Sequence, residues 1–459
     1  MDHLLYNLER IWGVINKFQL PLVPDEYTET ASLCKFDLVP VRSAKISDML
    51  KYEMEFKSLL GKNTTMDYGN GFVNLIIPKQ QPGIVGLLEL LQSDKLYEQP
   101  GKLKIALGED IEGDIIIVDL IDIKHLLIAG STRTGKSVCI HSIIISLIHF
   151  CTPEEVKFIL IDFKGNEFPI YENLSYLLKP VIYEIEQSVK VLKWAVAEMD
   201  RRYKEMAKYR CRNILRYNEI SKNKLNYIVI IIDEFADLTT DNDHGKEGES
   251  LIIKLASKAM AAGIHLIIST QTPKAEIITT TIKNNLTSRI SFKVTDSVAS
   301  NLIIDKSGAE NLIGRGDMYL KEDSELYRIQ GAFISDEELE DIIKNYIDDN
   351  LNFDNENNFV ETDVIVEEEK IEIEVDEFIY FEKIARFCIE KNICSRTSVQ
   401  KALKKGWPIV DKVIENLQRF EIVGKEKEGR DYPVIVTLEG FENKLEEIKS
   451  IFEEEYYGL

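Results

Sequence analysis

The sequence predicts an α/β fold with a mainly parallel sheet. Three observations carry that expectation. Short, nearly uninterrupted Ile/Val/Leu runs alternate with longer helical stretches over residues 103–347, as strands buried on both faces do. One of these runs leads through a glycine-containing loop straight into a helix. Another ends in two adjacent carboxylates. Alternation of this kind implies an α/β class.

The elements follow in order along the 459 residues. In the N-terminal region, residues 1–102, Tyr6–Phe18 reads as an amphipathic helix and Leu20–Pro24 as a break. Residues 41–96 suggest a small α/β module with a turn at Asp67–Phe72. Strands are expected at Asp114–Asp119, His125–Ala129, Lys157–Asp162, Tyr227–Asp233, His265–Thr270 and Arg289–Val294. Residues 348–377 form an acidic linker. Its part Asp354–Glu377 holds 11 acidic side chains and one lysine, so self-repulsion predicts extended or disordered chain. The alternations at Val364–Val366 and Ile371–Val375 offer an edge strand instead. Residues 378–438 then show helices at Glu382–Lys391, Ser395–Lys404 and Pro408–Phe420, followed by two strands within Ile422–Val436. Three helices and a hairpin make a winged-helix outline. Residues 439–459 read as an acidic tail helix.

The formal charge of −22 speaks in bulk against a protein coated in nucleic acid, because phosphate binding needs Lys and Arg. Its distribution says otherwise. Residues 336–377 carry 18 acidic and 2 basic groups, residues 112–335 carry 30 and 28, and residues 378–438 carry 8 and 12. The large middle is nearly neutral and the small late segment is basic. The basic run Arg201, Arg202, Lys204, Lys208, Arg210, Arg212 and Arg216 is either a nucleic-acid face or a solvated helix face. The six cysteines form no CxxC, which suits a reduced, cytoplasmic setting. MDHLLYNLER is no signal peptide, and no run of about 18–20 apolar residues is present for a spanning helix.

Gly130-Ser131-Thr132-Arg133-Thr134-Gly135-Lys136-Ser137 matches GxxxxGK[ST], after an apolar strand and before the helical run that Val138 continues. In this context the loop N–H groups and the helix N-terminus cradle phosphates. Lys136 reaches β/γ oxygens, and Ser137 can ligate Mg²⁺. The run Tyr227–Ile232 ends in Asp233 and Glu234. Asp233 is placed to hold the Mg²⁺ shell and Glu234 to face an attacking water. Leu266–Gln271 ends in Thr270-Gln271, placed to sense the γ-phosphate.

With these motifs in place, the chain resembles the FtsK/SpoIIIE family of ATP-driven double-stranded DNA translocases. Similar runs are Leu107–Gly113, Leu160–Lys164, Glu198–Tyr203, Asn213–Asn218, Asp233–Leu238, Ala256–Thr272, Ile282–Phe292 and Ser307–Met318. The resemblance covers residues 103–335, and more faintly 40–102 and 378–438. It implies a RecA-like P-loop ATPase core and a homo-hexameric ring around duplex DNA, with ATP and Mg²⁺ at subunit interfaces. It further implies ATP phosphate binding by the 130–138 loop, Mg²⁺ coordination by Ser137 and Asp233, and catalysis by Glu234, Lys136 and Gln271. A trans arginine is expected at Arg289, with Arg315 as second choice.

The C-terminal module resembles the family's winged-helix DNA-orienting domain. Lys404, Lys405, Lys412 and Arg430 are its expected DNA contacts. Pro408-Ile409 stands where the family typically shows Asn-Arg, and Ile cannot read guanine as Arg does; a protein-binding winged helix is the alternative. Arg133 stands where the family commonly has Gly. It is expected to strain the loop, contact phosphate or point into solvent. Family members in cell division usually carry N-terminal membrane helices, so a soluble relative with a membrane-associated partner is expected. Two rival readings remain: an ATPase handling a protein substrate in secretion, and a non-enzymatic DNA-binding adaptor.

Overall fold

The computed structural model describes residues 2–41, 45–69, 71–79, 81–348, 370–392, 394–403, 407–425 and 432–457. The chain divides into two compact units, Met1–Phe359 and Val360–Leu459. The division falls inside the expected linker.

Within the first unit, the helix Asp2–Phe18 presents Ile11, Val14 and Ile15, spaced for one face, to a sheet of β1 (Leu22–Glu29), β2 (Leu33–Pro40), β3 (Thr65–Gly69) and β4 (Phe72–Pro78). The sheet is antiparallel, in the order β1-β2-β4-β3. The expected break at Leu20–Pro24 is in fact the start of β1, and the module begins near residue 22 rather than 41. Pro24 is tolerated because β1 is an edge strand, with its register shifting between Pro24 and Tyr27.

The larger sheet has nine strands, ordered β6-β5-β13-β12-β11-β7-β10-β9-β8. They are β5 (Lys104–Asp110), β6 (Ile115–Asp119), β7 (Leu126–Ala129), β8 (Val156–Ile161), β9 (Tyr227–Ile232), β10 (Ile264–Thr270), β11 (Ser288–Phe292), β12 (Asp317–Glu322) and β13 (Glu325–Gly331). All six expected strands are present. The sheet is mixed rather than mainly parallel: β11, β7, β10, β9 and β8 run parallel, whereas β12, β13, β5 and β6 continue it antiparallel. The cause is local. β12 and β13 are joined by two residues, Asp323 and Ser324, and so short a connection can only build a hairpin.

β7 lies between β10 and β11, at the middle of the sheet. The helix after it, Lys136–Phe150, is apolar nearly all round and buried through Ile140, Ile143, Ile144, Leu147 and Ile148. Ser142 and Ser146 satisfy their hydroxyls on carbonyls one turn back. The loop between β7 and this helix is therefore held at the carboxyl ends of the parallel strands, where open α/β sheets bind ligands.

The second unit contains the helices Lys370–Lys391, Arg396–Leu403, Trp407–Arg419 and Leu438–Tyr457 around a core that includes Phe381, Cys388, Val399, Val413, Leu417 and Phe441. The first helix starts at Lys370, so the last part of the stretch expected to be extended is helical. Val423 and Val434 form a single antiparallel bridge where two strands were expected; residues 426–431 between them lie outside the described residues. No helix among the described residues is long and apolar enough to cross a membrane.

Candidate nucleotide site

The loop Gly130–Ser137 is fastened on three sides. Gly130 N donates to Thr270 O on β10 (3.3 Å), Ser131 N to Lys293 O beyond β11 (2.9 Å), and Thr134 O accepts from Gly316 N just before β12 (2.8 Å). Gly135 has φ +120°, and a Cβ there would lie 2.7 Å from Gly316 N and 2.8 Å from its Cα. Only glycine allows that approach. Arg133 adopts φ +61°, a left-handed conformation that strains a side-chain-bearing residue, and its side chain is exposed on the cavity wall. Strain and exposure are thus both seen at this position.

Lys136 is buried. Its ammonium donates to Asp233 Oδ1 (2.8 Å), Asp233 O (3.1 Å) and Ser269 Oγ (2.9 Å). Burial pushes the Asp233 carboxyl above its usual range, and Glu167 and Asp162 add to this against the pull of Lys136. A carboxylate so placed requires a cation. Ser137 Oγ donates to Glu167 Oε1 (2.8 Å). His141, foremost, and Ser137 hold the Glu167 carboxyl below its usual range, against burial. Glu234 is also buried and accepts from Thr270 Oγ1 (2.6 Å) and Gln271 N (3.1 Å). Lys164 Nζ lies 3.5 Å from Glu234 Oε2. Gln271 Oε1 accepts from Thr132 Oγ1 (3.1 Å), linking the loop to β10. The oxygen set Ser137, Asp233 and Glu167 is hard and anionic, and it suits Mg²⁺.

A cavity of about 590 Å³ opens over the loop. One wall is the loop itself, including Ser131–Arg133 and Gly135–Val138. The lining also includes the Pro82–Val85 segment, the Ile313–Gly316 turn and Phe333. The polar wall offers N–H groups and Lys136 to phosphates, and the apolar residues Ile84, Val85, Ile313 and Phe333 offer a surface for a base.

The structure therefore brings Lys136, Ser137, Asp233, Glu234 and Gln271 together as expected. Arg289 is a correction. It is buried, and its guanidinium donates to Leu286 O (2.9 Å), Ile303 O (2.9 Å), Asp305 Oδ2 (2.7 Å) and Lys283 O (3.1 Å). With four donated bonds inside its own chain, it is built as a structural arginine and not as a finger for a neighbour. Arg315, the second choice, is exposed on the cavity wall of its own chain. The basic run resolves mainly as a helix face. Arg202 is buried against Glu198, Asn226 and Ala262, and Arg201, Lys208 and Arg216 pair with Glu198, Glu205 and Glu219. Lys412 is exposed on the helix Trp407–Arg419; Lys404, Lys405 and Arg430 lie outside the described residues. Sequence reasoning missed Ser269, Glu167, Lys164 and the apolar wall. Lys164 stood inside a singled-out run without a role, and Glu167 three residues beyond it.

Residues 86–275, which hold the loop, both carboxylates and Gln271, match the FtsK/SpoIIIE family model. This core belongs to the FtsK/SpoIIIE family. The chain is 40% identical over 347 residues to the DNA translocase FtsK of Caldanaerobacter subterraneus subsp. tengcongensis, a match covering 74% of this chain and 49% of that protein. It is 35% identical over 423 residues to that of Staphylococcus aureus (strain Mu50), covering 89% and 52%. The chain thus spans about half the length of the curated relatives it matches. Its fold is like that of the pCW3 conjugation coupling protein TcpA, monomer form with ATPgS, at TM-score 0.53 and 24% identity, covering 74% of this chain and 98% of that one. The cytoplasmic domain of the Thermomonospora curvata Type VII secretion ATPase EccC gives TM-score 0.50 and 21% identity, covering 58% and 34%.

Proposed function

We propose that the chain is an ATP-hydrolysing, Mg²⁺-dependent motor that moves double-stranded DNA and works as a homo-hexameric ring. The observation that carries this reading is the buried Lys136–Asp233 pair, with Glu234 next in sequence, behind a phosphate loop that lines a cavity. Lys136 exchanges Asp233 for phosphate oxygens. Ser137 and Asp233 would hold the metal, which would neutralise phosphate charge when bound. Glu234 accepts the proton of the attacking water, and Gln271 couples that carboxylate to the phosphate loop through its N–H and its amide oxygen. Of the two candidates for the trans arginine, Arg315 is the one this reading keeps, because its side chain is exposed.

The chain's similarity to DNA translocases supports DNA as cargo, in segregation or transfer. The reading also divides the chain into the N-terminal region 1–102, the motor 103–347, the linker 348–377, a winged helix at 378–438 and a tail helix at 439–459. For the winged helix, the three helices followed by the Val423–Val434 bridge are the support.

The test is ATP turnover by the full chain with duplex DNA, single-stranded DNA and none. Duplex is expected to stimulate turnover, and Glu234→Gln to abolish it while nucleotide still binds. Turnover indifferent to duplex, or surviving Glu234→Gln, overturns the proposal.

A further inference from the structure

The hydroxyl near the start of the phosphate-loop helix has a partner that no motif announces. Ser137 Oγ donates to Glu167 Oε1 at 2.8 Å, and Glu167 stands on the cavity wall. Its backbone is fixed from inside. Asp162, fully buried at the end of β8, accepts the N–H groups of Lys164 (3.1 Å), Gly165 (3.0 Å), Glu167 (2.8 Å) and Phe168 (3.1 Å). The loop is wrapped around one carboxylate in order to present another.

The side chain of Glu167 is held as well. Its Oε2 lies 3.6 Å from Nε2 of His141, four residues beyond Ser137 and so on the same helix face. Nδ1 of His141 is 2.7 Å from the hydroxyl of Tyr171, whose ring is fully buried. Nε2 thus faces the carboxylate, while Nδ1 and the phenol share a hydrogen bond. Tyr171, His141, Glu167 and Ser137 form one chain of contacts that ends at the expected metal ligand.

Mg²⁺ gives up its water reluctantly and is usually held with several waters in place. Those waters need acceptors. Asp233 is one, and the fixed carboxylate beside Ser137 is a second. The same negative charge faces the place where polyphosphate must sit, so it opposes ATP that arrives without its metal.

We propose that Glu167 is a metal-positioning residue, whose carboxylate receives the water shell of the Mg²⁺ that accompanies ATP, with His141 and Tyr171 holding it in place. This rests on the ATPase reading above. It assigns to Glu167 two opposite effects: it favours the metal–nucleotide complex and disfavours the free nucleotide.

The experiment is a titration of the full chain with a fluorescent, non-hydrolysable ATP analogue across Mg²⁺ concentrations, including none. Wild type is expected to bind tightly only with Mg²⁺; failure to bind at all sinks the ATPase reading itself. In Glu167→Gln the Mg²⁺ needed for half-maximal tightening should rise about tenfold, while metal-free affinity stays level or improves. His141→Ala should move the same way by about threefold, a smaller step because His141 acts through Glu167. Glu167→Asp, which keeps the charge, should fall between wild type and the Gln variant. If Glu167→Gln tightens at the wild-type Mg²⁺ concentration, or loses affinity equally with and without metal, Glu167 is only a brace for its loop.

Discussion

The two halves of the nine-stranded sheet each contain a buried cation–carboxylate pair, and the pairs are built for opposite ends. In the antiparallel half, Arg328 clasps Asp317 through two bonds, Nε to Oδ1 (3.0 Å) and Nη2 to Oδ2 (2.8 Å). A third bond from Nη1 reaches Thr65 on β3 (3.0 Å), and Ile313 N donates to Asp317 Oδ2 (2.8 Å). The clasp joins the larger sheet to the N-terminal one. In the parallel half, Lys136 meets Asp233 through a single ammonium–carboxylate contact at the edge of a cavity. A planar fork saturates its partner, whereas a point charge on a flexible stem can exchange one oxygen for another. One pair is a fastening. The other is a place kept for a ligand.

Exchanging the two pairs for neutral residues should separate chemistry from stability. The largest effect is expected in the parallel half. Lys136→Ala should lower ATP turnover by about 10³-fold or more, with loss of tight nucleotide binding, because its charge is aimed at phosphate oxygens. Next comes the antiparallel half. Arg328→Ala leaves Asp317 buried without its partner and should cost about 3–5 kcal/mol of unfolding free energy in a urea titration. Lys136→Ala should cost clearly less in the same titration, since Lys136 lines the cavity and its truncation lets water in beside Asp233. Equal costs would erase the distinction drawn between the pairs.

A third prediction concerns the opposite end of the parallel strands. His125, just ahead of β7, and His265, in β10, are buried close together, 6.1 Å between ring centroids. Burial, and for His125 the neighbouring His265, lowers their pKa values to about 3 and about 4. The unfolded chain therefore takes up protons first as pH falls. Stability from these groups is complete above about pH 6.5 and drains as pH drops towards the folded values, by roughly 2 kcal/mol each at pH 5. Denaturation at pH 7 and pH 5 should show that loss, and His265→Phe should remove about half of it. The smallest effect belongs to Asp305. Against partial burial, which pushes it up, Lys283, Arg289 and Lys321 hold its carboxyl well below the usual range. Its contribution is present above the ordinary carboxylate pKa of about 4 and is lost as pH falls below it. The side chain is 43% exposed, so Asp305→Asn should cost about 1 kcal/mol or less at neutral pH, with a flatter acid limb.

The same contrast explains what the sequence displayed. Strands of the parallel half are covered on both faces, so Tyr227–Ile232 and Ile264–Thr270 stand out as apolar runs, and the fixed spacing of Gly130–Ser137 names its own chemistry. β12 and β13 mix charged and apolar residues, so Asp317–Gly331 lacks the apolar runs that mark the parallel strands. The Asp317–Arg328 clasp is a meeting across their hairpin and has no sequence spacing of its own. Arg289 shows the reverse problem. A lone arginine in a buried strand looked functional, yet carbonyls at Leu286, Lys283 and Ile303 together with Asp305 had already claimed it. Glu167 had no signal at all, because its meaning comes from a loop folded around Asp162.

One contact joins the two halves directly. Gly135 and Gly316 meet backbone to backbone, and Thr134 O is bonded to Gly316 N. In mechanical terms this is a key seated in its slot, with no side chain between the parts to act as a cushion. Any displacement of the β12–β13 hairpin, or of the N-terminal sheet clasped to it by Arg328, is delivered undamped to the loop that grips the phosphates.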